Sequence, residues 1–439
     1  MKSPAGFIHV LSLFLCCTAE LIPGILQSQP DEYFIENYVR NEDLAYKPNI
    51  ATVLLHKSGF ELAPPIIRLG SDERLILSFD DFDGDVKQYK YTLIHCDADW
   101  NTSQIQQMEY LEGFMEDDID DYQFSLNTTR SYTNYILEFP TDYLKIKKSG
   151  NYLLKVFDKT NEDARVIITR RFMVTDPKVE VIGKVSKTLN LDDRYTHQQI
   201  DFVVNSAGYP ITEPYRDLFV IVLQNGRWDN AIRHIQPRSV SGSSLDYSMN
   251  EKIVFSAGNE FRYFDMKTLK YNTDRMISIE YTREGYQVYL QPDAPRYDKS
   301  YRTEPDINGR RLIAANEAFD AYSGGDYAWV HFYLSYPAPL SYGSFYVFGG
   351  LSDWQFRPAC LMKYDPAKGA YEASILLKQG YYNYAYTFLP NGSYSGDLEM
   401  VEGSFWEAEN EYTILVYHRR PGDFYDQLVG LRFLDTFSR

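Results

Sequence analysis

A chain of 439 residues has room for roughly two to four domains of about 100–200 residues each. Its net charge of −17 denies it the basic face that nucleic acid or an anionic membrane surface requires, and favours solubility or a partner with basic patches. Tyr and Phe number 38 and 26 against 4 Cys and 9 Met, a composition that fits pleated, half-buried surfaces and points to an all-β fold.

The chain opens with Lys2 and an apolar run over residues 7–17, which reads as a signal peptide spanning 1–28. Cleavage is expected after Ser28 or after Ala19. Glu20, Pro23 and Gly24 interrupt the run, so it is too short for a membrane anchor. Cys16 and Cys17 follow bulky residues, which argues against lipidation. The expectation is an exported, soluble protein. Residues 29–49 read as a polar, extended lead-in. Only Cys96 and Cys360 remain in the mature chain, read as buried free thiols with their pairing left open.

Strand patterns follow at 52–56, 66–69, 74–79, 89–95, 132–139, 151–157 and 164–174, with turn residues between them. They predict an N-terminal β-sandwich over 50–176, closed by the boundary Asp176-Pro177. A middle sandwich is expected over 177–307. Its strands are 179–185, 199–204 and 218–223, and Asn225-Gly226 marks a hairpin. A third unit over 308–439 has strands at 327–335, 371–377, 381–388, 412–419 and 428–433. The predicted architecture is three tandem Ig-like or E-set β-sandwiches.

The middle stretch, 253–269, begins as a strand and turns at Gly258-Asn259, where a positive φ is expected. Alternation then sets Glu260, Arg262 and Phe264 against Phe261, Tyr263 and Asp265. Glu260, Arg262 and Asp265 are expected to form a structural polar network containing a bidentate Arg–carboxylate pair.

Ligand-type residues occur in His95-Cys96-Asp97-Ala98-Asp99-Trp100, but adjacent strand residues point to opposite faces and no second Cys/His cluster exists. Asp81-Phe82-Asp83-Gly84-Asp85 lacks the spacing of a calcium loop, with Gly fourth and Thr92 twelfth, and reads as a hairpin turn. Residues 116–121 read as a solvated acidic loop. G-x-S-x-G, H-E-x-x-H and Gly-rich phosphate loops are absent. The sequence therefore predicts no catalytic residue, no metal site and no cofactor.

Gly349-Gly350-Leu351-Ser352-Asp353-Trp354, with Tyr371-Glu372 and the Tyr-rich 378–388, resembles the E-set modules of glycogen-branching enzymes and their carbohydrate-binding relatives. Leu351 and Ser352 replace the usual Phe and Asn, and Tyr371 stands where Trp is common. The resemblance covers about 327–418. It implies an Ig-like fold, and Trp354, Tyr382, Tyr384 and Tyr386 become a candidate glycan or partner surface. The same aromatics would equally fill a core.

The exported Tyr-rich β chain, the strand ending His95-Cys96-Asp97-Ala98-Asp99-Trp100, the central Gly258-Asn259-Glu260-Phe261-Arg262 and the Asp353-Trp354 module together resemble the type IX secretion system plug proteins of Bacteroidetes. The resemblance runs from about Val39 to Phe433. It implies a non-enzymatic periplasmic protein docked on the giant outer-membrane translocon barrel. Such a protein closes the periplasmic mouth of the barrel when no substrate is in transit, without inserting into the membrane itself. An elongated row of sandwiches, docking through 381–386, is the shape expected for that work.

Overall fold

The computed structural model describes residues 39–159 and 165–437. The expected signal peptide and the first part of the lead-in lie outside the described residues. Leu44–Ala45, within that lead-in, pairs with the strand Arg165–Thr175 and so belongs to the first sandwich.

The first sandwich is built from Ile50–Lys57 (β1), Leu75–Asp81 (β2), Tyr89–Cys96 (β3), Glu116–Asp118 (β4), Asp121–Phe124 (β5), Thr133–Phe139 (β6), Gly150–Asp158 (β7) and Arg165–Thr175 (β8). One sheet runs β1-β2-β6-β5 and the other β8-β7-β3-β4. Leu75, Leu77 and Phe79 recur every second residue and face Tyr89, Tyr91 and Leu93 across the core. Phe79 stacks on Tyr135 at 5.2 Å between ring centroids.

The second sandwich pairs Glu180–Lys187 (β9) with His197–Asn205 (β10) in one sheet. The other sheet contains Leu218–Gln224 (β11) and Ile232–Ile235 (β12). Its two remaining strands are the last of the chain, Glu411–His418 (β20) and Gln427–Asp435 (β21), in the order β12-β11-β20-β21. The expected third unit of 308–439 therefore loses its final strands to the middle one. The reason is visible in β20. Tyr412, Ile414 and Val416 face the second core, while Leu415 and Tyr417 face a cluster shared with the first sandwich. A strand buried on both faces reads as a continuous apolar run and carries no mark of which sheet it joins.

The third sandwich is thus inserted into the second. Its strands are Arg262–Asp265 (β13), Met276–Thr282 (β14), Gly285–Leu290 (β15), Tyr327–Ser335 (β16), Gly343–Phe348 (β17), Ala370–Lys378 (β18) and Gly380–Pro390 (β19). One sheet contains β14-β15-β16-β18, with β15 and β16 parallel. In the other, β19 is flanked by β13, β17 and the short Arg311–Ile313. Ala328, Val330, Phe332 and Leu334 face the core between the two sheets. The helices among the described residues are single turns, and none is long and apolar enough to cross a membrane.

Each sandwich packs against both of the others, so the expected elongated row is replaced by a closed cluster of three. Ile66, Cys96, Trp100 and Leu153 of the first share a buried cluster with Ile221, Leu223, Leu415 and Tyr417 of the second. At about 1.5–3 kcal/mol for each large apolar side chain fully buried, parting these faces is costly.

Candidate functional site

The described residues form polar junctions where the sandwiches meet, and these gather most of the residues singled out in the sequence. The middle stretch is the crossing from the second sandwich to the third. Ser256 pairs with His197 of β10, and Arg262 pairs with Tyr384 of β19. Gly258 turns the chain between them at φ 65°, and the Asn259 amide donates to the Glu402 carbonyl at 2.8 Å.

Arg262 is the hub of this crossing. Its Nε donates to both Glu402 oxygens at 3.1 Å, Nη1 to Asp293 Oδ1 at 2.7 Å and Nη2 to the Ala294 carbonyl at 2.9 Å. Arg296 adds a second cation to Glu402 at 2.6 Å, and Arg275 a second to Asp293 at 2.5 Å. The Tyr384 and Tyr386 hydroxyls donate to Asp293 Oδ2 at 2.7 and 2.8 Å. Burial pushes the Glu402 carboxyl up, but the Arg262 and Arg296 guanidiniums outweigh it and hold the group below its ordinary value. The Arg262 guanidinium is likewise held charged by Glu402 and Asp293 against its own burial.

The predicted bidentate pair exists with different partners. Glu260 turns away from Arg262. Its carboxylate accepts from the Tyr301 hydroxyl and from the Glu409 backbone N–H, and its carbonyl accepts from Arg296. Only 2% exposed, Glu260 is pushed up to about 7 by burial, with Asp306 and Glu409 adding to the rise. Asp265 stands apart and pairs with Lys267 at 3.0 Å. Asp293 and Glu402 take the places foreseen for Asp265 and Glu260.

Asp353-Trp354 joins all three sandwiches. Both residues have positive φ, 51° and 58°. Asp353 binds Arg170 of the first sandwich at 3.0 Å and Arg311 of the third at 3.1 Å, together with Arg357. Burial opposes its charge, but the three guanidiniums hold its carboxyl far below the usual carboxylate range. The Trp354 ring meets Phe261 and Phe348 edge-on, and Arg227 of the second sandwich lies 4.9 Å from its centroid. A Cβ on Gly309 would fall 2.3 Å from this ring, so only glycine fits beneath it.

The candidate glycan surface is overturned by the same geometry. Tyr382, Tyr384 and Tyr386 are at most 1% exposed, and Tyr382 stacks on Phe264 at 5.1 Å. Every residue from 382 to 388 is buried because β19 is central in its sheet and covered on both faces.

First and third sandwiches are joined by the ion pair Asp80–Lys378 at 2.6 Å, with both side chains at most 1% exposed. Tyr327 and Asn134 also donate to Asp80, at 2.6 and 2.7 Å, and Lys378 donates to the Tyr322 carbonyl at 2.5 Å. Burial works against both charges, raising the Asp80 carboxyl and lowering the Lys378 ammonium, and each is the other's main relief. Neither residue was foreseen. The available signal was charge at the end of an apolar strand, in LILSFDD and SILLK.

First and second sandwiches meet at 95–100. His95 lies between Ser103 Oγ (2.8 Å) and the Ser149 carbonyl (3.2 Å), and burial lowers it to about 4. Gly150, at φ 140°, would place a Cβ 2.6 Å from His95 Nε2. Asp97 caps the following turn by accepting from the Asp99 and Asn101 N–H groups. Asp99 lies 3.3 Å from His234 and 3.7 Å from Arg233 of the second sandwich. Trp100 packs edge-on to Trp228 at 5.0 Å. Cys96 and Cys360 are both free and buried, and burial pushes each thiol up to about 12.

The Asp81, Asp83 and Asp85 carboxylates stand close enough to share one cation. That cation is Lys87, 2.7 Å from Asp81 and also bound to Asp83.

Residues 50–176 match the family model described as the Type 9 secretion system plug protein 1st domain. The chain belongs to the type IX secretion system plug family. A crystal structure of a hypothetical protein from Parabacteroides merdae ATCC 43184 is similar at 35% identity and a TM-score of 0.87, over 91% of this chain and 100% of that one. The C-terminal domain of the Streptococcus pyogenes antigen I/II-family protein AspA aligns with 87% of this chain and 99% of that one, at 9% identity and a TM-score of 0.15, too low to carry an argument. No curated protein matches. The plug-family domain at 50–176 contains Asp80, His95, Trp100 and Arg170, one residue or more at each of its junctions with the other sandwiches.

Proposed function

We propose that this plug-family protein is a non-enzymatic periplasmic cover. It docks on the giant outer-membrane translocon barrel of the type IX system and seals the periplasmic opening when no substrate is in transit. Membership of a secretion-system plug family supports a type IX secretion-related role and an envelope-associated location. The observation that carries the finer reading is the set of buried contacts holding three sandwiches in one body. A cover over a wide pore works by shape and stiffness, and the ion pairs Arg170–Asp353 and Lys378–Asp80 between first and third, the apolar cluster between first and second, and Arg227 against Trp354 between second and third supply both without chemistry.

The test has two arms. Tagged protein purified from native outer membranes is expected to bring the barrel with it when secretion is idle. Deleting the gene is expected to raise permeability to large antibiotics. Recovery of the protein free of the barrel, with permeability unchanged, counts against the proposal.

A further inference from the structure

We infer that the open flank of the first sandwich, at β5, is where a partner strand is received. The inference rests on the plug reading above and names the part of the surface that docks. Among the described residues, strand β5 is the edge of its sheet, pairs only with β6 and is exposed at all four residues. Its main-chain groups on the outer side have no strand to pair with among the described residues. Natural sheets guard such edges with short strands, charged side chains, Pro or a bulge. Asp121-Tyr122-Gln123-Phe124 is short and carries one charge at its start, but it has no Lys or Pro, and its pairing with β6 keeps an unbroken register.

The side chains here continue the core outward. Buried Tyr135 meets Tyr122 at 5.9 Å, and Tyr122 meets Phe124 at 5.9 Å. Phe124 is 55% exposed, so the apolar face of the sheet runs past its last strand into solvent. Across the gap the facing sheet also ends in an edge strand, β4, paired among the described residues only with β3. A strand laid along β5 would pair with its free main chain and cover both rings, which is strand addition to an exposed edge.

Charge narrows the occupant to one kind. Asp120 and Asp121 sit at the start of β5 with no basic partner among the described residues. The segment that fits is extended, with Lys or Arg reaching Asp120 and Asp121 and with apolar side chains over Tyr122 and Phe124. An acidic or uniformly polar segment does not fit. On the plug reading, its source is a periplasm-facing segment of the barrel.

Full-length tagged protein is compared as wild type, as the pair Asp120→Lys/Asp121→Lys, as Phe124→Ser, and as Tyr394→Ser at an exposed site in the third sandwich. Detergent-solubilised outer membranes of the host are the probe. Both β5 variants are expected to recover at least about tenfold less barrel, whereas Tyr394→Ser recovers as much as wild type. Unfolding midpoints of the β5 variants should match wild type, because the substituted side chains face solvent. Raising salt should weaken wild-type recovery and have little effect on the charge-reversed pair. A photo-crosslinking residue in place of Gln123 should capture a Lys- or Arg-rich barrel peptide. Capture of an acidic peptide, or of this chain's own segment 29–38, overturns the inference. Wild-type levels of barrel on both β5 variants overturn it too, and leave the plug reading standing. If wild type itself recovers no barrel, the plug reading falls and the inference falls with it.

Discussion

Lys378 and Asp80 set the terms at the level of single residues. Breaking a buried ion pair by removing one partner leaves the other charge uncompensated, at a cost of about 3–5 kcal/mol. Lys378→Met is therefore expected to lower the denaturant midpoint sharply. Adding Asp80→Leu to it should restore much of the loss, because two apolar groups then face each other. Equal losses in the single and double variants would show that the pair does not act as a unit. Glu260 and His95 give stability two opposite dependences on pH. The Glu260 carboxyl, raised by burial to about 7 from an ordinary 4.5, holds its proton more tightly folded than unfolded. Its contribution is complete below the ordinary carboxyl range and is lost as pH rises through about 7. Glu260→Gln should thus raise the melting temperature by about 2–4 °C at pH 8 and change it little at pH 4. The His95 imidazole, lowered by burial from 6.5 to about 4, acts the other way, with full stability above 6.5 that is lost as pH falls toward 4. His95→Asn should flatten that acid limb in a melting series from pH 7 to pH 4.

At the scale of elements, strands were legible and their partners were not. Alternation located β16 and β18 because each shows one face to a core and the other toward solvent. It failed for β19 and β20, which are covered on both sides, so Tyr382, Tyr384 and Tyr386 looked as suited to a surface as to a core. The polar site was half legible for a related reason. Arg262 announced itself among aromatics, but its carboxylates lie 31 and 140 residues further on, a pairing that local spacing does not encode. Register has a direct test. The fragment 308–439 lacks β9, β11 and β13, leaving β20 without a partner on one side. It is expected to be unfolded by circular dichroism, and a folded fragment would contradict the pairing described. Gly150→Ala probes the junction at β7. Its Cβ would press on His95 and on the Asp426 carbonyl, so a loss of about 1–3 kcal/mol is expected in chemical denaturation.

For the whole molecule, three sandwiches that each touch the other two behave differently from three beads on a string. A linear array unfolds bead by bead. Here, parting the first sandwich from the third strips Asp353 and Lys378 of partners, and parting the first from the second exposes the cluster of Trp100, Ile221, Leu223 and Tyr417, so the cost is shared by all. A single calorimetric transition is expected, with fluorescence and circular dichroism melting together. Separate transitions would show that the junctions are weaker than their burial implies. On the proposed function, the same coupling bears on release from a pore. A body of this kind leaves as one piece, by breaking its outer contacts rather than by bending.

The insertion of the third sandwich into the second also fixes an order in time. A chain delivered from its N-terminus presents β11 early, whereas the strand that pairs with it, β20, arrives last of all but one. Until then the second sandwich stays half open, and the faces of Ile221 and Leu223 that meet the first sandwich lack the flanking Leu415 and Tyr417. Long-range closure of this kind is slow. The finished shape therefore waits on the final turn of synthesis, and a chain cut short near its end is left with an open seam in the middle.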